Sequence, residues 1–167
     1  METNSTPIIN EDPRGLSGLG GWLILVQIGI YVTMVMFILQ FVTYTLPSFQ
    51  PETWHRLTSV DSENYHPLWG PILVFEMLYN VLVFFFCLFI LLNMYQRKAR
   101  LPRLMIIFYS TSLGIAIVDT LLLNMIPSIR DLEEVSSLKD VFRAVVACAI
   151  WIPYFITSER VRNTFVR

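Results

Sequence analysis

The chain reads as all-α, a four-span transmembrane helical bundle with both termini cytoplasmic, and three observations carry that reading. Residues 22–44, 72–94 and 104–126 are apolar runs of 23 residues, and 141–157 is a shorter fourth; none holds more than one charged side chain. At about 1.5 Å of rise per residue, 23 residues cover about 34 Å, enough to cross a hydrocarbon layer of about 30 Å. Hydrophobic residues make up 54% of the 167, leaving little chain for a water-soluble domain. The cations, finally, gather in some connections and avoid others.

That sorting sets the topology, because Lys and Arg resist translocation. Between the second and third runs lie Arg97, Lys98, Arg100 and Arg103 with no acid, and after the fourth come Arg160, Arg162 and Arg167 against Glu159 alone. The connection between the first two runs has Arg56 against Glu52, Asp61 and Glu63. Between the third and fourth, Arg130 and Lys139 face Asp131, Glu133, Glu134 and Asp140. Both ends and the middle connection are therefore expected inside, with two acidic loops outside.

Residues 1–21 form a polar, Gly-rich tail expected to be disordered. It carries Arg14 against Glu2, Glu11 and Asp12, and the apolar run behind it is too long for a cleaved signal. The transmembrane domain covers 22–157, and 158–167 reads as a basic C-terminal tail. In the outer loop 45–71, Pro51 suits the first position of a short interfacial helix through Trp54 and Leu57, where its missing N–H costs nothing. Pro153 removes the hydrogen bond to the Ala149 carbonyl and predicts a kink near the inner end of the fourth run.

Ionisable and amide groups in hydrocarbon are costly, so each needs an explanation. Counting rise from the outer edge puts Arg143 at about 4 Å, Gln40 and Glu76 at about 6 Å, and Asn80 and Asp119 at about 11–12 Å. Helical side chains lean toward their own N-terminus. Glu76 and Arg143 then both lean outward, while Asp119 leans inward toward the level of Asn80. The expected pairs are Glu76 with Arg143 and Asp119 with Asn80. The cluster reads either as a staple holding the bundle or as a polar cleft open to the outer face. In the cleft reading, two carboxylates face one guanidinium, and burial disfavours the surplus charge. Asp119 is then the proton-binding candidate. Loss of function in a well-folded Asp119→Asn protein favours the cleft; unchanged function favours the staple.

Other chemistry has little support. His55, Asp61, Glu63 and His66 share one loop without a recognised metal-ligand spacing. Ser110, Thr111 and Ser112 lack a histidine nearby in sequence. Cys87 and Cys148 both fall inside apolar runs and behave there as small hydrophobes. No basic run is dense enough to track nucleic acid. The sequence is therefore read as non-enzymatic, with no catalytic residue, metal or cofactor. Its expected partners are the lipid bilayer and either another membrane protein or further copies of itself.

The most distinctive text closes the chain: Trp151, Pro153, Tyr154, Phe155, Ser158, Arg160, Val161, Thr164 and Phe165 fall in the pattern W-x-P-Y-F-x-x-S-x-R-V-x-x-T-F. Physically it is a helix end with aromatic anchors, followed by arginines at lipid-phosphate depth. The pattern resembles the domain-of-unknown-function 2569 family of bacterial membrane proteins. So do Gly18-Leu19-Gly20-Gly21-Trp22-Leu23, Tyr65-His66-Pro67-Leu68-Trp69, and Phe75-Glu76 with Asn80. The resemblance implies a four-helix protein of the bacterial inner (cytoplasmic) membrane and supplies no reaction. The closing motif is then either a stop-transfer anchor or a docking surface. An interaction or assembly component of the membrane is the favoured expectation, with a small proton-linked transporter or ligand-binding protein as the alternative.

Overall fold

The computed structural model of the chain describes residues 17–63 and 65–166, and for 127–137 the backbone alone. Residues 1–16, most of the expected disordered tail, lie outside the described residues. The elements run α1 (Trp22–Gln40), a π turn (Phe41–Thr45), α2 (Leu46–Ser48), α3 (Pro51–Thr58), α4 (Trp69–Tyr95), α5 (Leu101–Asn124), α6 (Pro127–Thr157) and α7 (Glu159–Thr164). Among the described residues, four stretches are long and apolar enough to cross a membrane: Trp22–Ser48, Trp69–Tyr95, Leu101–Asn124 and Leu138–Thr157. All four expected spans are present as helix.

The first span starts at Gly21, which holds φ 62° and ψ −135°, and Ile24 N–H closes the first turn on its carbonyl at 3.1 Å. Leu23, Val26 and Ile30 then recur at helical spacing on the buried face. The span runs past residue 44 to Ser48, and Pro47 accounts for the wide turn on the way. Proline has no N–H and its ring crowds the carbonyl four residues back, here Thr43, so the helix widens ahead of it. Thr43 Oγ1 donates to the Leu39 carbonyl at 2.7 Å beside that turn.

Pro51 does open a short helix, α3, which ends at Thr58; Phe49 stacks on Trp54 with ring centroids 5.3 Å apart. The C-terminal end of α4 closes as a Schellman motif: Arg97 N–H bonds Met94 O at 3.1 Å and Lys98 N–H bonds Asn93 O at 3.0 Å. Arg97 takes the left-handed conformation, φ 53°, that this motif requires.

The connection between the third and fourth spans departs from expectation. It is not an extended acidic loop. Met125 and Ile126 turn the chain, Pro127 sits in the first turn, and one helix of 31 residues follows through to Thr157. Proline early in a helix forfeits no bond, and the Leu- and Glu-rich stretch behind it favours helix. α5 and α6 form the most extensive helix pair. The small residue Cys148 lies at their contact, its Sγ donating to the Tyr109 carbonyl at 3.2 Å across the pair.

The core lies at one end of the bundle. Leu23, Val26 and Ile30 of α1 meet Cys87, Ile90 and Met94 of α4, Leu101 and Met105 of α5, and Phe155, Val161 and Phe165 from the closing segment. Large apolar side chains such as Leu25, Val32, Leu82 and Phe85 stand on the outer faces of the spans, over 50% exposed, where lipid tails solvate them. The protein is a multi-pass integral membrane protein.

Candidate functional site

The polar residues within the spans do not assemble as expected. Arg143 is joined to Asp140, one turn earlier on its own helix, by Nη1–Oδ1 contact at 3.2 Å, and its side chain is 81% exposed. The expected Glu76–Arg143 staple is thus replaced by an i,i+3 pair within α6. Exposed pairs of this kind contribute at most about 1 kcal/mol. Asp140 becomes available because α6 begins well before it, where a loop was expected. Gln40 is exposed at the end of α1. Glu76 and Asp119 are both half-buried.

Asn80 is 4% exposed, and its Nδ2 has no hydrogen-bond partner among the described residues. The expected Asp119–Asn80 pair is therefore absent. Its neighbour Tyr79 reaches Ser112 on α5 and lies in the field of Asp119. The Tyr79 ring also packs edge-on against Phe37 of α1, with centroids 6.3 Å apart, so α4 presents both Tyr79 and Asn80 near α1. There Asn80 lines an open groove of about 190 Å³ with Phe37, Ile38, Phe41, Val81, Phe84 and Phe85.

The closing signature forms a clasp. Trp151 is its hub, edge-on to Trp22 at 6.3 Å, stacked on Tyr109 at 6.5 Å and edge-on to Tyr154 at 5.9 Å. Pro153 lies within α6, and its carbonyl accepts from Thr157 Oγ1 at 2.8 Å. Ser158 then breaks the helix in an extended conformation and caps α7, its hydroxyl accepting from Val161 N–H at 3.5 Å. Residues 158–166, expected as a tail, are thereby drawn into the bundle. Phe155, Val161 and Phe165 enter the core. Thr164 accepts at Oγ1 from Gly18 N–H at 2.9 Å and donates to Gly18 O at 3.3 Å. The Arg160 guanidinium lies over the glycine lead-in; a Cβ on Gly20 would sit 2.9 Å from its Nη1 and one on Gly21 3.5 Å from its Cζ. Both ends of the described chain therefore meet on one side of the bundle.

A further polar group, composed largely of residues not singled out by sequence, sits on the α1–α4 seam. Gln27 Nε2 donates to the Tyr95 hydroxyl, which also bonds the Tyr31 hydroxyl at 2.8 Å. Tyr31 is 44% exposed and Tyr95 52%. The lean rule could have found this triad. α1 and α4 are antiparallel, so Tyr31 tilts toward the end of the bundle where α4 finishes and Tyr95 tilts away from that end, and the two long side chains converge.

A helical bundle with lipid-facing walls, a core at one end and the two ends of the described chain clasped together defines, among the described residues, a four-span membrane protein. Residues 16–166 match the family described as protein of unknown function (DUF2569), and the chain belongs to that family. No curated protein and no solved structure matches it.

Proposed function

We propose that the protein is an interaction component of the membrane, engaging a transmembrane helix of another protein or of a second copy along its α1–α4 seam. The observation that carries the reading is the Gln27–Tyr95–Tyr31 triad, two of whose members are 44% and 52% exposed on membrane-spanning helices. Polar groups facing hydrocarbon are costly and mark faces that another helix covers. In the free protein the triad satisfies part of its own hydrogen bonding; a partner helix supplies the remainder and buries the rings.

Affinity purification in mild detergent with mass spectrometry tests this. The intact protein is expected to recover a reproducible membrane partner or its own second copy. Tyr31→Phe with Tyr95→Phe should lower that recovery about fivefold for each hydrogen bond of about 1 kcal/mol lost to the partner, with helix content by circular dichroism unchanged. Equal recovery from wild type and double variant sinks the proposal.

We place the molecule in the inner membrane of a bacterial cell with both ends cytoplasmic, supported by the four cations of the 96–103 connection and by Arg160 and Arg162 near the clasp. Reporter fusions at residue 60 and at the C-terminus are expected in opposite compartments. Both reporting from one side overturns the orientation.

A further inference from the structure

Four span ends meet where the clasp closes: the starts of Trp22–Ser48 and Leu101–Asn124 and the finishes of Trp69–Tyr95 and Leu138–Thr157. Arg97, Lys98, Arg100 and Arg103 stand around the turn from α4 into α5, and Arg160 and Arg162 on α7, with Glu159 the one acid there among the described residues. None of these cations is ion-paired within the described residues. Five of them are exposed, which is ordinary for a charged rim; Arg160 is half-buried. Its guanidinium lies against the glycine lead-in, with Nη1 2.9 Å from the Cβ position of Gly20 and Cζ 3.5 Å from that of Gly21. Ser158 caps α7 before it, Val161 beside it is 1% exposed, and Thr164 is bonded to Gly18, so the backbone carrying Arg160 is fixed. The guanidinium therefore sits over the first turn of α1, where Gly21 offers no side-chain cap. A cation against the positive end of a helix is repelled unless an anion joins them.

We infer that Arg160 holds the phosphate of a net-negative phospholipid of the surrounding bilayer. A guanidinium fork matches phosphate oxygens, and the N–H donors of Arg160 have no acceptor among the described residues. Depth selects a lipid as the source of that phosphate. The fourth span ends at Thr157, three residues before Arg160, and the first begins at Trp22, immediately after Gly21. The guanidinium is thus at headgroup level, where the 60% exposed Trp22 also belongs. Charge selects the class of head: the five exposed cations repel the ammonium of a zwitterionic lipid and attract a head with net negative charge. Arg160 supplies the fixed point of contact, and the rest of the rim supplies the field.

The experiment adds phosphatidylglycerol or phosphatidylethanolamine, with identical acyl chains, to the detergent-purified full chain and counts retained lipid by native mass spectrometry. Phosphatidylglycerol should be retained about tenfold better, and Arg160→Gln should remove that advantage, the size of one hydrogen bond between charged groups. Arg162→Gln deletes the same charge from an exposed position and should lower retention about twofold. Arg160 has no partner within the described protein, so the Arg160→Gln thermal midpoint in lipid-free detergent should equal that of wild type. Gly20→Ala keeps every charge but displaces Nη1, the flexible end of its side chain, and should lower retention about threefold at an unchanged midpoint. Equal retention of the two lipids overturns the proposal. So do equal losses from Arg160→Gln and Arg162→Gln, which would leave a diffuse charged rim without a site. Displacement of the lipid by inorganic phosphate at equal concentration overturns it in favour of a free-phosphate site, and a lowered Arg160→Gln midpoint without lipid overturns it in favour of a structural arginine. None of these outcomes depends on Tyr31 or Tyr95, so the seam proposal stands or falls separately.

Discussion

Replacing Trp151 with alanine is expected to destabilise the purified protein by about 3 kcal/mol, lowering its thermal midpoint by about 6–12 °C. The indole contacts the rings of Trp22, Tyr109 and Tyr154, and pairs of this kind contribute about 0.5–1.5 kcal/mol each beyond packing. Those three rings belong to α1, α5 and α6, so Trp151 ties together the first, third and fourth spans. In lipid such contacts weigh more than transfer from water, because the helices are already in an apolar medium. Trp151→Phe keeps a ring to stack on Tyr109 and should lose less than half as much. Ile150, 51% exposed on the next position of the same helix, is the control. A drop for Trp151→Ala no larger than for Ile150→Ala would show that the hub is not one.

Gly21→Ala is the second large effect, expected at about 1–3 kcal/mol. Its cause is backbone geometry. At φ 62° and ψ −135°, Gly21 occupies a region that a residue with a Cβ enters only under strain, and the Arg160 guanidinium closes over the same backbone. The chain has little freedom to relax, because Gly18 is held to Thr164 three residues earlier. Gly29, with open space around it inside α1, supplies the comparison: Gly29→Ala should cost nothing and gain helix propensity. Equal midpoints for the two alanine variants would falsify the strained lead-in.

Much of this architecture is legible in one dimension. Span existence follows from length and hydropathy alone, and the short helix after Pro51 follows from proline chemistry. What sequence did not carry is rotation about the helix axis. Depth counting put Asp119 and Asn80 at one level, yet Asn80 borders Phe37, Ile38 and Phe41 of the first span rather than pairing with Asp119. Arg143 failed for a different reason. Reading 127–140 as a loop removed Asp140 from the helix, and with it the nearest acid. The triad was half visible, since Gln27 is a costly residue in hydrocarbon, but two tyrosines pass as ordinary membrane aromatics until the antiparallel packing of α1 and α4 is known. The closing motif was legible as distinctive text; that its threonine grips a glycine 146 positions away was not.

That grip has a consequence for biogenesis. Gly18 precedes all four crossings and Thr164 follows them, so the first helix must wait in the bilayer while the other three are threaded before its final neighbour arrives. A chain stopped short of Thr164 would leave the glycine strand ungrasped and Val161 and Phe165 missing from beside α1. Closure thus comes only once the fourth crossing has been made, so the clasp reports that all four spans are in place.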